Sequence, residues 1–476
     1  MSGALDYDLE RPIRTPDLSS PPLMTKRARW LVVLGFLLPG SAQLLAGNRK
    51  LGRFGLSVTI AAVVVLVISL LGLLFARATT LSVFTNNLFL FVLQWLIAAL
   101  GLMWLVLGID TLRLTKLVRV TPNWRVPVAM LTVSLTLVPV AGAAWASSLI
   151  GTGRGAIGSI FIGAPDVKPI DGRYNILLLG TDAGSDREGI RPDSISLVSV
   201  DAKTGQSVII GLPRELIEMP FPEESPMSAL HPYGFGVAPN SVSEWGGCYT
   251  TCYLNAVYTE VENFPETYAG LYPDAESRGS SPGIEATKDA VQGATGIDPQ
   301  FYVLLNMDAF SNIIDSLGGA TVNVPERLPI GGGIDEYSGE LVNVDGWIEP
   351  GEQHLNGWEA QWFARSRYGS ENGDYDRMQR QRDLQGAILA QMNPGNVLLR
   401  FQEIAAAGSQ LVKTDIPDSM LGRFVDLAGK AREHSPVNVE LVPPAVDPEA
   451  PDYGVIRELV DAGVAAASPQ PEGGGE

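Results

Sequence analysis

Hydrophobic and polar positions divide this chain into two regions of different rhythm. Before residue 150 the apolar residues form long unbroken runs at 54–76, 88–109 and about 126–150, each long enough for the ~20 residues that cross a bilayer. A shorter run at 30–46 is interrupted by Pro39-Gly40. After residue 170 the runs shorten. Tyr174 to Gly180 is a brief, continuous apolar stretch of the kind buried strands show. Residues 194–201 and 207–212 read as two further strands, joined by a turn at Lys203-Thr204-Gly205. Strands are also expected at 301–306 and 320–324. Between them, 307–317 has apolar residues at helical spacing and stops at Gly318-Gly319. Helices are expected over 355–365 and 378–392, the latter stopped by Asn393-Pro394, and near 401–411 and 419–431. This alternation predicts an α/β domain, a central sheet flanked by helices, behind an α-helical transmembrane region. Residues 220–282, dense in Pro, Gly, Ser and Tyr, read as long loops that often serve binding.

Boundaries follow from these rhythms. Residues 1–25 are polar and aperiodic, a disordered cytoplasmic tail, and 26–150 form the transmembrane region. A linker at 151–170 opens with glycine-rich sequence. An extracytoplasmic domain occupies 171–445, and 446–476 hold a C-terminal helix and a disordered tail. Cytoplasmic flanks collect Lys and Arg. Lys26, Arg27 and Arg29 precede the short run, and Arg49, Lys50 and Arg53 follow it, so both of its ends read as cytoplasmic. The expected topology is a re-entrant or interfacial segment at 30–46 and then three spans. Four true crossings would instead leave the soluble domain in the cytoplasm.

Charge sharpens the division. The first 150 residues carry 13 Lys+Arg against 5 Asp+Glu, and the remainder 21 against 47, a net of +8 followed by −26. A soluble region this acidic repels phosphate backbones, which excludes generic nucleic-acid binding. An anionic ligand would need locally concentrated arginines or a bound cation. Three scattered histidines exclude His-based triads and metal sites. The two cysteines, Cys248 and Cys252, fall outside the membrane region, where a local disulfide is expected. Two thiols without a nearby histidine make a poor zinc site.

Three polar clusters carry candidate chemistry. Gly180-Thr181-Asp182 closes the first strand and is followed by Arg187, Arg191 and Asp193. Strand ends in open α/β sheets are where ligands bind, and Asp182 with Asp193 could share a hard divalent cation. A solvated turn is the plainer alternative. Pro213-Arg214-Glu215 again follows a strand. Arg365-Ser366-Arg367 and Asp374-Tyr375-Asp376-Arg377-Met378-Gln379-Arg380-Gln381 form the third cluster. Arg377, Arg380 and Gln381 share one helix face by their spacing. Gathering guanidinium groups within so acidic a domain suits a pyrophosphate held by bidentate forks. A helix salt-bridged through Asp374, Asp376 and Asp383 is the alternative.

Taken in order, Asn175-Ile176-Leu177-Leu178-Leu179-Gly180-Thr181-Asp182, Arg191-Pro192-Asp193-Ser194, Pro213-Arg214, Arg365-Ser366-Arg367 and the 374–381 run resemble the signature of the LytR-CpsA-Psr proteins. Leu254-Asn255-Ala256-Val257-Tyr258 and Gly318-Gly319 extend the likeness over roughly 170–395. It is similar to actinobacterial members, which often carry several N-terminal spans. The resemblance implies a Mg²⁺- or Mn²⁺-dependent cell-wall ligase. Such an enzyme moves a glycopolymer from a polyprenyl-pyrophosphate lipid to peptidoglycan, at the 6-hydroxyl of N-acetylmuramic acid, as a phosphate ester. It also implies a hydrophobic pocket for the lipid tail. The implied metal ligands are Asp182 and Asp193. The implied pyrophosphate ligands are Arg191, Arg214, Arg365, Arg367, Arg377, Arg380 and Gln381. Catalysis would fall to Asp193, Arg214, Arg365 and Asp374, with Asp193 or Asp374 as general base.

Two positions depart from the family pattern. Ala183-Gly184 stand where an arginine commonly follows Gly-Thr-Asp, and Glu215 replaces the usual Asp or Asn after Pro-Arg. Two other readings stay open. One is a polyprenyl-pyrophosphate phosphatase, with water as acceptor; the other is a non-catalytic lipid-glycan-binding or regulatory membrane protein.

Overall fold

The computed structural model describes residues 13–181, 192–236, 252–268, 270–335, 337–338, 340–366, 374–391 and 412–468. These form two compact units, one up to Arg154 and one from Gly155.

The first unit is helical: α1 (Pro21–Leu37), α2 (Ser41–Ala46), α3 (Arg49–Phe75), α4 (Arg77–Thr85), α5 (Asn87–Thr115) and all but the last six residues of α6 (Pro122–Ile160). Helices α3, α5 and α6 are long and apolar enough to cross a membrane. Their outward side chains include Leu74, Phe75 and Trp95, all well exposed, the pattern of helices that face lipid. The 30–46 run behaves differently. It breaks at Leu38, and Gly40 turns the chain with φ 98°, so close to α3 that a Cβ would stand 2.5 Å from the Gly52 carbonyl oxygen. Both ends of the segment meet the same turn of α5. Arg27 donates through Nη1 to the Leu114 carbonyl at 2.7 Å, and Gly47 packs against the Leu114 side chain. Between them Gln43 donates through Nε2 to the Leu107 carbonyl at 2.8 Å and to Thr111 Oγ1 at 3.0 Å. The segment therefore follows α5 from Leu114 to Leu107, about 10 Å at helical rise, and returns. The glycine-rich stretch expected as linker from residue 151 is helical as far as Ile160. Gly151 stays in α6 because it lets that helix approach α5, where a Cβ would meet Gln94 at 2.7 Å.

The second unit is α/β, as expected. Its six-stranded mixed sheet has the order β10-β3-β2-β1-β4-β9, from β1 (Arg173–Thr181), β2 (Pro192–Asp201), β3 (Ser207–Leu212), β4 (Phe301–Asn306), β9 (Val412–Thr414) and β10 (Val437–Glu440). β1 runs antiparallel to β2 and parallel to β4, and β10 runs parallel to β3. Two small ribbons pair β5 (Ala320–Val324) with β8 (Gly351–Leu355) and β6 (Leu328–Ile334) with β7 (Leu341–Ile348). The helices are α7 (Pro226–Leu230), α8 (Leu254–Asn263), α9 (Pro265–Tyr268), α10 (Pro282–Thr295), α11 (Met307–Leu317), α12 (Gly357–Arg365), α13 (Asp374–Gln391), α14 (Leu421–Ala431) and α15 (Tyr453–Ala466).

Strand side chains alternate between faces, and here the two faces meet different surroundings. Leu177, Leu179, Leu197 and Ile210 pack into the main core with residues of α8, α10 and α15. Ile176, Leu178, Val198 and Ile209 point the other way and line a cavity. Several element limits differ from the sequence reading. The 220–282 stretch is not loop throughout, because α8 buries Leu254, Val257 and Val261 at helical spacing. Helix α12 begins at Gly357, since Leu355 closes β8 and Asn356 with Glu359 forms a capping box. Helix α13 begins at Asp374, four residues ahead of Met378. The helix expected near 401–411 lies outside the described residues.

A buried histidine gives this unit a pH signature. His231 is 2 % exposed, stacked on Tyr268 and edge-on to Phe235. Burial pushes its imidazole down to about 4. The unfolded chain therefore binds this proton more readily, and stability should fall as pH drops from about 6.5 towards 4. Burial raises the Asp289 and Asp415 carboxyls, which acts in the opposite sense. The comparison with His231→Phe isolates the histidine. Thermal melts of the detergent-solubilised protein from pH 8 to 4 should show wild type losing on the order of 2 kcal/mol relative to the variant. Parallel curves would disprove this role.

Candidate functional site

The continuous apolar run that opens the domain is buried on both faces, but only one is packed along its whole length; the other is filled by side chains at its start, where Tyr174 meets Phe301 and Phe424. Over the other lies a cavity of about 1110 Å³. Its floor is the sheet face of Ile176, Leu178, Val198 and Ile209; α11, α13 and α14 contribute Phe310, Leu384, Ile388, Phe424 and Ala428. Most of this surface is hydrocarbon, which suits an extended apolar ligand.

Polar groups gather where β1 ends and β2 begins. Asp193, Ser194, Arg214, Arg365, Ser366, Arg377 and Gln381 all line the cavity there. Arg214, just past β3, donates through Nη1 to Asp193 Oδ1 at 2.5 Å and through Nη2 to Glu215 Oε1 at 2.9 Å. The guanidinium of Arg365, in the last turn of α12, lies 5.4 Å from the centroid of the Trp362 ring. Arg377, 4 % exposed, donates through Nη2 to the Asp193 carbonyl at 3.4 Å. Ser194 Oγ donates to Gln381 Oε1 at 2.8 Å, and Gln381 Nε2 donates to the Ala364 carbonyl at 3.1 Å. Gln381 thus ties β2 to the end of α12 and holds Arg365 and Ser366 at the rim.

Arg380 is the exception among the expected ligands. Its guanidinium is 2 % exposed and does not line the cavity. It donates through Nε to the Phe363 carbonyl at 3.0 Å and through Nη2 to the Ser366 carbonyl. Burial lowers its pKa, while Asp376 and Glu326 oppose the shift. Two of the end carbonyls of α12 are satisfied this way, so Arg380 supports the Arg365 turn and is not positioned to meet a ligand. Helical spacing alone did not separate Arg380 from Arg377 and Gln381, because Arg380 is enclosed against the end of α12 while Arg377 and Gln381 line the cavity.

The remaining sequence candidates lie partly out of view. Asp182, Arg191 and Arg367 fall outside the described residues, as does Cys248, and the Asp374 side chain is likewise not described. Cys252 is disulfide-bonded. Among the described residues no cluster of three His, Cys, Asp or Glu side chains is placed to hold a metal. The individual cavity-lining apolar residues were not foreseen from sequence.

Residues 164–443 match the LytR_cpsA_psr family, more than half of the chain. The chain belongs to that family. Its relatives include biofilm regulatory protein A of Streptococcus mutans, 26% identical over 255 residues, which are 53% of this chain and 51% of that protein. Another is the polyisoprenyl-teichoic acid–peptidoglycan teichoic acid transferase TagV of Bacillus subtilis, 31% identical over 137 residues, 29% of this chain and 34% of the relative. The chain thus spans about half the length of the first of these relatives and about a third of the second. Among solved structures, B. subtilis TagV superposes with a TM-score of 0.40 at 19% identity, covering 63% of this chain and 98% of that one. A LytR-Csp2A-Psr enzyme from Actinomyces oris gives 0.39 at 20% identity, covering 64% and 94%.

Proposed function

We propose that this family member is a membrane-anchored phosphotransferase that takes a glycopolymer from a polyprenyl-pyrophosphate carrier and attaches it to peptidoglycan, at the 6-hydroxyl of N-acetylmuramic acid. The observation that carries this reading is the junction of a large hydrocarbon-lined cavity with a mouth bearing Arg214, Arg365 and Arg377. A ligand that is apolar along its length and doubly charged at one end matches that division. The TagV relative, a polyisoprenyl-teichoic acid–peptidoglycan teichoic acid transferase, supports the same class of reaction.

Phosphoryl transfer is mostly positioning and charge neutralisation. In this reading the cavity holds the prenyl tail, and the three guanidiniums take the nonbridging oxygens. Arg214 exchanges its Asp193 and Glu215 partners for phosphate as the lipid enters. The acceptor oxygen bonds to the phosphorus that carries the sugar, the bridging P–O–P bond breaks, and the prenyl monophosphate leaves. The hydroxyl proton passes to a carboxylate, Asp193 or Asp374. A divalent cation also fits. Asp193 offers a hard oxygen at the mouth, and Mg²⁺ typically takes one or two carboxylates plus substrate phosphates. Asp193 and Asp182 would hold it, and bound there Mg²⁺ or Mn²⁺ would supply charge neutralisation on the phosphates. Water in place of the sugar hydroxyl would give hydrolysis, the phosphatase alternative.

Placement outside the membrane belongs to the same proposal. Residues 21–48 enter beside α5 and return, and α3, α5 and α6 then cross. From a cytoplasmic N-terminus, this odd number of crossings leaves the acidic domain extracytoplasmic. Peptidoglycan and the lipid carrier would both be met there. The test is complementation in cells lacking the wild-type copy and any paralogue. Arg365→Ala should fail to attach glycopolymer to the wall despite normal expression. Normal attachment would refute the ligase reading, whereas a binding protein would keep its function in Asp182→Asn.

A further inference from the structure

We infer that Arg382 is a positioning residue for the anion site, acting on it from behind through one buried water. The inference rests on the prenyl-diphosphate reading above. Arg382 is 3 % exposed. Its guanidinium crosses β3 at Gly211, where a Cβ would stand 2.7 Å from Nη1. Beyond that strand Nη2 donates at 3.0 Å to Glu440 Oε1, on the β10 residue paired with Gly211. Nε and Nη1 are buried and make no hydrogen bond among the described residues. Two donors of a buried cation are rarely left so without a reason.

Next to them lies a second chamber, of about 10 Å³. Ser196, Gly211 and Arg382 line it together with Asp193, Arg214, Arg377 and Gln381, which also line the mouth of the large cavity. This volume is close to the minimum for one water and far below a phosphate, and the walls supply the polar partners a buried water needs. A water there accepts from Arg382 and donates to the Asp193 carboxylate or to Ser196 Oγ. It fixes the corner of β2 against which Arg214 and Arg377 are set. The charge of Arg382 matters as well as its hydrogen bonds. Its salt-bridge partner, Glu440, is 47 % exposed. Solvent therefore weakens the Glu440 side of the pair more than the enclosed side facing the mouth. Arg382 thus strengthens the hold on a diphosphate without touching it, and contributes nothing to the hold on a tail.

The full-length protein in lipid nanodiscs, titrated calorimetrically with geranylgeranyl diphosphate and with geranylgeraniol, separates these contributions. Arg382→Met should weaken diphosphate binding about tenfold and leave the alcohol within about twofold. Gly211→Ala should act in the same direction by displacing the guanidinium, and Arg382→Lys should restore part of the loss. Glu440→Gln, at a half-exposed position, should tighten diphosphate binding roughly twofold. It keeps the inference testable if Arg382→Met does not fold. Unchanged diphosphate affinity in Arg382→Met overturns the role, as does equal loss of both ligands, which would mark Arg382 as packing only. No effect of Glu440→Gln also overturns it. Wild-type protein that binds the two ligands equally would instead defeat the prenyl-diphosphate reading, and the Arg382 role with it.

Discussion

Replacing Arg214 with alanine should lower the rate of glycopolymer transfer by roughly 10³-fold, the scale on which a transition-state arginine acts in phosphoryl transfer. The expected loss exceeds that of one cation because of what the variant leaves behind. Asp193 and Glu215 both accept from this guanidinium, at 2.5 and 2.9 Å. Without it, two carboxylates face a substrate that carries its charge on phosphate oxygens. The fall should therefore appear in both kcat and the apparent affinity for the lipid. Arg214→Lys should recover little, since an ammonium cannot present two parallel donors to a diphosphate. Steady-state transfer kinetics with a purified lipid-linked donor would measure both effects, and a loss below about tenfold would remove Arg214 from the reaction. The melting temperature should change little, because Arg214 stands at the rim of the cavity.

The second large effect comes from the cavity floor, where adjacent residues should give opposite signatures. Leu178 points into the cavity and Leu177 into the packed core. Leu178→Trp puts an indole into space reserved for the prenyl tail. It should reduce transfer by about 10²-fold, since each methylene kept out of apolar surroundings forfeits about 0.8 kcal/mol. Its stability should hold or rise, because the new ring meets open volume. Leu177→Trp enlarges a fully buried position and should destabilise the fold by about 1–3 kcal/mol. A Leu178→Trp protein with normal turnover of a long-chain donor would show that the tail does not lie in this cavity.

How much of this was readable beforehand depends on local signal strength. β3, β4, β5 and α11 begin and end where the sequence placed them. Each combines an unambiguous apolar period with a firm stop, such as Gly318 at φ 95° after α11. The β6–β7 ribbon was not foreseen. Its first strand is Leu-Pro-Ile-Gly-Gly-Gly-Ile, whose glycines hide the alternation, and its register shifts between Ile330 and Gly331. Helix α8 was lost in a background of Pro and Gly, although its own apolar spacing is regular. The cavity was implied only by the family resemblance, and no local pattern marks the residues that line it. Leu177 and Leu178 are the same residue type, and only the fold shows that the first faces packed neighbours and the second open space. Arg380 shows the complementary limit. Helical spacing groups it with Arg377 and Gln381, but the enclosing elements decide which guanidinium meets a ligand and which one supports the backbone.

The most direct test of the central claim is the identity of the product. Full-length protein in nanodiscs would be given a prenyl-pyrophosphate-linked oligosaccharide, a peptidoglycan oligomer and Mg²⁺, and the products read by mass spectrometry. The expected result is a phosphodiester joining the oligosaccharide to the acceptor sugar, formed with one equivalent of prenyl monophosphate and absent with Arg214→Ala. Oligosaccharide phosphate released into water, with an unmodified acceptor, would contradict transfer and identify a phosphatase.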